Sequence, residues 1–389
     1  MSPQSAMTEN PILLAAGGTG GHVFPAEALA AELLRRGHRV GLVTDTRGTG
    51  FGKNLPELPL YRIPAGTPAG RSLPGKLMAV VEIVRGVFAA LSLLTLTRPV
   101  AVVGFGGYPA LPLLLAARLR KIPILLHEQN AVLGRVNRLV ARFAARIATS
   151  FPATHFLPAD ARAVVTGNPV RPAILTAADV PYHAPEQSIR VLVMGGSQGA
   201  RVLSDVVPTA LASLPAELRR RVKVQQQCRP EDLARVRMAY ETAGIVAETA
   251  TFFTDVDKRL ATAHLVVSRS GAGSTAEIAV IGRPALLVPY AFAMDDHQTA
   301  NADALAHAGG ARVIAQDKFT LERATAAFAD LLADPAALAD MAAAARSVGR
   351  PLAAQALADL VERTVTEQQQ QPGNVAAAAK DHSMKRTAA

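Results

Sequence analysis

The sequence has one cysteine, no tryptophan and few aromatic residues of any kind: Phe, Tyr and Trp together make up 4% of 389 residues. A lone cysteine, Cys228, excludes an internal disulfide and a cysteine metal site, which fits a reducing cytosol. So few rings leave base-stacking platforms for nucleic acid poorly supplied. The first nine residues are polar and lack the apolar stretch of a secretory signal. A long uninterrupted hydrophobic run is missing too. The nearest, residues 77–96, is broken by Glu82, Arg85 and Gly86, and placing those charges at mid-membrane costs several kcal/mol. An amphipathic or buried helix is expected there. Arg71, Lys76, Arg85 and Arg98 surround it, which suits docking on an anionic membrane surface; a core helix of an α/β domain is the alternative.

What is present is hydrophobic and alternating. Half of the residues are hydrophobic. Short apolar runs alternate with alanine-rich helical patterns along the whole chain, which predicts α/β domains with parallel sheets, two or three at this length. The charge is uneven. Residues 1–171 carry 19 Lys and Arg against 8 Asp and Glu, a balance of +11, and the remainder carries 22 against 23. One half is therefore expected to meet a polyanion: nucleic acid, anionic lipid head groups or a phosphorylated substrate.

The chain is organised around Gly17-Gly18-Thr19-Gly20-Gly21-His22-Val23-Phe24-Pro25. The apolar run Ile12-Leu13-Leu14-Ala15 precedes it, and a helix-forming run opening at Ala26 follows, with Pro25 at its first turn. A strand, a glycine turn and a helix offer close backbone approach and free N–H groups to an anion. His22 is the ordinary proton acceptor of the turn; a tight turn with a bystander histidine is the plain alternative. The dinucleotide fingerprint fails, because it needs glycine at Val23. A second glycine turn, Gly104-Phe105-Gly106-Gly107-Tyr108, follows the strand Ala101-Val102-Val103, and its chemistry suits a pyrophosphate. The strand ending at Leu126 delivers His127-Glu128-Gln129-Asn130 to the carboxyl edge, where such sheets bind ligands. Residues 164–172 have the turn chemistry of a domain junction, after which the plan restarts. Gly195-Gly196-Ser197-Gln198-Gly199 follows one strand, with Ser197 placed to cap a helix or bond a phosphate oxygen. Ser268-Arg269-Ser270-Gly271-Ala272-Gly273-Ser274-Thr275-Ala276-Glu277 follows another. Ser274 and Glu277 match a capping box; the functional alternative gives the glycines and Ser274 to a pyrophosphate and Glu277 to two ribose hydroxyls. Gln298 is placed to read sugar hydroxyls. Asp255-Val256-Asp257 has the form of a metal-holding D-x-D, but without a companion oxygen cluster it is expected to be a solvated loop. Residues 352–367 are expected to form a last helix, and 368–389 a disordered tail.

Together GGTGGHVFPA, GFGGYPA, HEQN, TGNPVR, GGSQGA, SRSGAGSTAE and PYAFAMDDHQTANA, in that order across nearly the whole chain, resemble the MurG family. These are the UDP-N-acetylglucosamine:N-acetylmuramyl-(pentapeptide) pyrophosphoryl-undecaprenol N-acetylglucosamine transferases of bacterial cell-wall synthesis. The resemblance implies a GT-B fold: two Rossmann-like, doubly wound α/β domains facing a central cleft. Residues 1–171, joined by the helix 352–367, form the acceptor and membrane side, and residues 172–350 form the donor domain. It implies a hexosyltransferase that moves GlcNAc from UDP-GlcNAc to the C4 hydroxyl of MurNAc in lipid I, giving lipid II with inversion. Neither metal nor cofactor is implied. The place of action is the cytoplasmic face of the inner membrane, bound peripherally to its anionic surface, among other cell-wall synthesis proteins; no nucleic acid is involved. Position by position, His22 matches the candidate general base. Thr19, Gly20, Gly21, Asn130, Arg171, Ser197, Phe253, Ala272, Gly273, Ser274, Thr275, Ala276, Glu277 and Gln298 match donor-binding positions. Gly104, Gly106, Gly107 and Tyr108 are candidates for the acceptor pyrophosphate by chemistry and position alone. The rivals are a GT-B enzyme acting on another lipid such as diacylglycerol, a UDP-GlcNAc epimerase of similar architecture, and a nucleic-acid-binding protein.

Overall fold

The computed structural model describes residues 10–370 apart from 18–19, 47–50, 53–54, 68–71 and 197–198. Among the described residues two compact units form: 10–129, 133–166 and 352–370 in the first, 130–132 and 167–351 in the second. The first unit carries a seven-stranded sheet, ordered β3-β2-β1-β4-β5-β6-β7 and parallel throughout. Its strands are β1 (Ile12–Ala15), β2 (Val40–Asp45), β3 (Leu60–Ile63), β4 (Ala101–Gly104), β5 (Ile124–Glu128), β6 (Arg146–Thr149) and β7 (Ala163–Val165). The second unit carries a six-stranded parallel sheet, ordered β10-β9-β8-β11-β12-β13. Here the strands are β8 (Ile189–Met194), β9 (Val222–Gln227), β10 (Val246–Ala250), β11 (Leu265–Ser268), β12 (Ala285–Leu287) and β13 (Ala311–Val313).

The central strands are short and apolar because helices cover both faces. In β1, Ile12 and Leu14 face one core with Leu29 and Leu33 of the Gly20–Arg35 helix, whereas Leu13 and Ala15 face the other with Leu113 and Leu114. Strand β8 divides likewise, Val191 and Val193 to one side and Leu192 and Met194 to the other. A leucine in these cores truncated to alanine costs about 2–5 kcal/mol. The strand order reverses between β1 and β4 in the first sheet and between β8 and β11 in the second. At such switch points the connecting chains diverge to opposite faces and leave room beyond the carboxyl ends. All four glycine turns of the sequence leave from those strand ends.

Three expectations change. The first helix begins at Gly20, not near Ala26, so Pro25 lies inside it and His22 is its third residue. Proline removes an N–H and crowds the carbonyl four residues back, which here belongs to Gly21, a residue without a side chain to add to the crowding. The Leu73–Thr97 helix is neither all core nor regularly amphipathic. Ala79, Gly86, Ala90, Leu93 and Leu94 are buried, while Leu73, Leu77, Met78, Phe88 and Leu96 are each more than half exposed. By length and composition alone this helix is long and apolar enough to cross a membrane. The last helix, Ala353–Gln369, runs through Gln368 and Gln369, which the sequence put in the tail; residues 371–389 lie outside the described residues. That helix belongs to the first unit. Leu357, Val361 and Val365 join Leu29 and Leu33 in its core, and Arg36 holds Asp359 at 2.6 Å and Glu362 at 2.8 Å.

Candidate active site

In the first unit the candidate side chains gather where β1, β4 and β5 end. His22 stands in the first turn of its helix, partly buried. The β4 turn passes beside its ring: a Cβ added at Gly106 would lie 3.5 Å from His22 Cε1, and one at Gly107 would lie 3.5 Å from Cδ2. Both glycines have positive φ, +85° and +73°, a conformation that costs other residues energy. Gly107 then caps a single 3-10 turn at Tyr108–Ala110 that leads into the Leu111–Leu119 helix. Gly104 plays a different part. It is the last residue of β4, and Leu114 methyls stand 2.8–2.9 Å from where its Cβ would be. Gly20 and Gly21 open the helix of His22; Thr19 lies outside the described residues.

Strand β5 reaches two residues further than expected, so His127 and Glu128 are its buried end rather than cleft residues beyond it. Glu128 accepts from Gly134 N–H and from Asn137 Nδ2, both at 2.8 Å, and so closes the turn that follows. Gln129, 1% exposed, bonds His22 Nδ1 at 2.9 Å through its Oε1.

In the second unit, β11 ends at Ser268, and Arg269, Ser270 and Gly271 lead into the Ala272–Ile281 helix. Gly271 is its N-cap, extended and without a side-chain cap bond, so Ser274 is the third helical residue and the capping-box reading fails. Thr275 turns its hydroxyl inward to the carbonyls of Gly271 and Ala272. Among the described residues nothing stands within 4 Å of a Cβ added at Gly271 or Gly273, so they leave the helix start open to a ligand. Its first N–H groups lack intrahelical acceptors and carry partial positive charge. Glu277 lies further along this helix. Its Oε1 accepts from Arg171 Nε at 3.0 Å and pairs with Nη2 at 2.9 Å. Burial pushes the Glu277 carboxyl above its ordinary pKa, and Arg171 opposes that. Arg171, Glu277 and the helix start are thus brought together.

Gln298 stands in the first turn of the His297–His307 helix, and its Oε1 accepts from Tyr290 N–H at 2.9 Å. Just before it Asp295 and Asp296 both take left-handed φ, +54° and +52°, a costly pair outside glycine. Asn130 is held by Asn301, whose Nδ2 also donates to Ser270 O. Phe253 is buried, and the Arg259 guanidinium lies 3.9 Å from its ring centroid, so that ring face is covered within the fold. Ser197 lies outside the described residues. Asp257 is not loop, and Asp255 is the residue that caps a helix. They begin the Val256–Thr262 helix, with Asp255 paired to Arg259 at 2.8 Å.

Sequence reasoning gave no role to Asn301, Arg269 or Gln129. Fully buried Asn301 ties Ala131 N–H, Asn130 and the Ser270 carbonyl into one node. Arg269 donates to the carbonyls of Val288 and Pro289, fixing the ends of β11 and β12, and burial pulls its guanidinium below its usual pKa. Arg269 directly follows β11 and Gln129 directly follows β5, a position that was the available signal, whereas Asn301 lies inside the His297–His307 helix and carried none.

Two family models match the chain: the glycosyltransferase family 28 N-terminal domain over residues 12–149 and its C-terminal domain over residues 190–364. A UDP-N-acetylglucosamine--N-acetylmuramyl-(pentapeptide) pyrophosphoryl-undecaprenol N-acetylglucosamine transferase from Paramagnetospirillum magneticum is 54% identical over 91% of this chain and 97% of its own length. One of the same name from Rhodospirillum centenum is 53% identical over 91% and 94%. The crystal structure of Acinetobacter baumannii MurG superposes with a TM-score of 0.76 at 32% identity, covering 91% of this chain and 99% of that one. The two parallel-sheet units are those of a GT-B fold. The chain belongs to the MurG family of family 28 glycosyltransferases.

Proposed function

We propose that the protein transfers N-acetylglucosamine from UDP-GlcNAc to the C4 hydroxyl of MurNAc in undecaprenyl-pyrophosphoryl-MurNAc-pentapeptide (lipid I), forming lipid II for peptidoglycan, with inversion and without a metal. The observation that carries this reading is the 54% identity, along nearly the whole of both chains, with a relative named for that transfer. The first unit takes the lipid-linked acceptor and the second takes the donor.

His22 is the base. Gln129 occupies its Nδ1, leaving Nε2 for the acceptor hydroxyl. As the proton moves to Nε2, the hydroxyl oxygen bonds the anomeric carbon, and the bond from that carbon to the diphosphate breaks with its electron pair leaving on UDP. The uncapped start of the Ala272–Ile281 helix meets the departing charge, with the Gly273 and Ser274 N–H groups at the diphosphate. Glu277 accepts from the ribose hydroxyls, held in place by Arg171. Gln298 presents its amide nitrogen to the sugar, because Tyr290 N–H already holds the oxygen. The Gly106-Gly107-Tyr108 turn beside His22 takes the acceptor pyrophosphate.

The exposed apolar face of the Leu73–Thr97 helix docks on the membrane. Leu77, Met78 and Phe88 enter the lipid, while exposed Lys76, Arg85 and Arg98 meet anionic head groups. That surface and the family support peripheral attachment at the cytoplasmic face of the inner membrane, and other cell-wall synthesis proteins are the proposed neighbours there.

The test is UDP release from UDP-GlcNAc by purified protein in EDTA, with and without a short-chain lipid I analogue. Release that needs the analogue and yields the disaccharide is expected. Activity lost in EDTA and restored by Mg²⁺ would overturn the metal-free mechanism. Donor protection against unfolding without turnover, followed by turnover on diacylglycerol, would overturn the acceptor.

A further inference from the structure

We propose that Gln129 is a positioning residue that fixes the tautomer of His22, holding the ring proton on Nδ1 and the reactive lone pair on Nε2. The inference rests on His22 being the base and adds what makes it one.

The argument is a matter of which atoms can only accept. Gln129 follows β5 directly and is 1% exposed, so both ends of its amide need partners inside the protein. One amide atom lies 3.1 Å from the main-chain oxygen of His127 and 2.9 Å from His127 Nδ1. A carbonyl oxygen cannot donate, so the amide atom facing it is the NH₂ nitrogen. That fixes the other end. The atom 2.9 Å from His22 Nδ1 is the amide oxygen, which also cannot donate. His22 Nδ1 therefore carries the hydrogen and donates, and in the neutral ring the lone pair stands on Nε2. The same logic makes His127 Nδ1 an acceptor and puts that ring's proton on Nε2.

A turned amide would place its NH₂ toward His22. Nδ1 would then accept, the proton would sit on Nε2, and the ring would have nothing to offer the acceptor hydroxyl. Its second cost would be two oxygens facing each other at the His127 carbonyl. The carbonyl thus guards the orientation of the amide, and the amide guards the ring. During transfer the acceptor proton passes to Nε2, and the imidazolium so formed still donates from Nδ1 to the same oxygen, so nothing need reorganise. Because the amide is neutral, it orients His22 without supplying a counter-charge.

The experiment is a double-mutant cycle on the full chain with the short-chain acceptor analogue, together with nitrogen-15 histidine spectra. His22 is identified among the nine histidines by its absence in His22→Gln. Gln129→Met keeps the shape and removes both polar ends. It is expected to lower kcat by on the order of 10²-fold, within the range for losing a positioned base, with the UDP-GlcNAc KM within about twofold. In a His22→Ala background the same change should cost less than about twofold, because the group it acts through is gone. Wild-type His22 should show the Nδ1–H form, and Gln129→Met should lose that preference. An unchanged kcat in Gln129→Met, an equal loss in both backgrounds, or an Nε2–H form in the wild type would each overturn the inference. If His22→Ala alone keeps its kcat, the base assignment fails instead, and the spectra still decide whether Gln129 sets the tautomer. Should Gln129→Met fold poorly, the wild-type spectrum alone decides.

Discussion

Removing Arg171 should destabilise the protein in a pH-dependent way, and the direction follows from Glu277. Both guanidinium contacts go to one carboxylate oxygen, at 2.9 and 3.0 Å, and the two side chains are 36% and 14% exposed. A fully buried pair broken on one side costs about 3–5 kcal/mol, and an exposed pair about 0–1. This half-open pair should cost about 1–2 kcal/mol at pH 8. The orphaned carboxylate has an escape, which is to protonate. From an unfolded pKa of about 4.3, that costs about 5 kcal/mol at pH 8 but only about 1 at pH 5. The Glu277 pKa is already raised by burial, and losing Arg171 raises it further. A carboxyl with a folded pKa above its unfolded one binds protons more tightly when folded. Its stability contribution is therefore present at low pH and lost as pH rises through the folded pKa. Urea unfolding of Arg171→Ala against wild type at pH 5, 6.5 and 8 should show a deficit that grows with pH. Arg171→Ala/Glu277→Gln should show a flat one, any other contact of Arg171 adding only a constant. A deficit that stays constant in Arg171→Ala, or that grows as pH falls, would refute the reasoning.

His264 should make the protein acid-sensitive in the opposite sense. Burial, then Arg190 and Arg283, depress its pKa to about 4, and its Nδ1 accepts from Arg190 N–H at 3.0 Å. Stability is then full above pH 6.5 and falls by about 3 kcal/mol as pH drops toward 4; His264→Gln should flatten that slope in unfolding measurements, and an unchanged slope would count against it. Leu77→Glu with Phe88→Glu should reduce co-sedimentation with anionic vesicles while leaving turnover of a short-chain acceptor in detergent unchanged; undiminished vesicle binding would move the docking surface elsewhere. Gly273→Ala should leave thermal stability within about 1 kcal/mol of wild type, since nothing crowds the added methyl, yet raise the UDP-GlcNAc KM. An unaltered KM would remove that turn from the diphosphate.

The sheets were legible because parallel strands covered on both faces must be apolar, and runs such as Ile12-Leu13-Leu14-Ala15 allow little else. The glycine turns were legible for a local reason too, since glycine takes the positive φ of Gly106 and Gly107 without the cost other residues bear. Helix starts were less so. Pro25 reads as a first-turn residue, yet the helix begins five residues earlier at Gly20, because helix-start rules rank local preferences and do not see what the preceding glycines allow. The pair Ser274 and Glu277 fitted a capping box by spacing, but the cap fell on Gly271, and Glu277 went to Arg171 instead, a partner 106 residues away. Asn301 meets Ala131 across 170 residues, and Gln129 meets His22 across 107. Contacts of that separation leave no trace in spacing or periodicity, so the residues supporting a site stay hidden where those touching the ligand can be named.

The glycine turns also divide by what their missing side chains make room for, and that division separates fold from chemistry. At Gly17 a Cβ would come within 2.6–2.9 Å of Pro109 and Thr44 Oγ1, and at Gly104 it would meet Leu114. Those positions are filled by the protein itself; they let β1, β2 and the β4 turn close up so that His22 and the β4 turn share one corner. At Gly271 and Gly273 no described residue fills the space, and an uncapped helix start faces it. One motif thus serves two ends. In the first unit it packs, and the side chain it positions is His22, the proposed base. In the second the turn after β8 packs as well, a Cβ at Gly195 meeting Ala200 and one at Gly199 meeting Arg229, and the turn after β11 is the open one, its backbone N–H groups being those proposed to meet the diphosphate. An inverting transfer needs one group that takes a proton and one surface that receives a diphosphate, and the proposed roles assign one to each switch point.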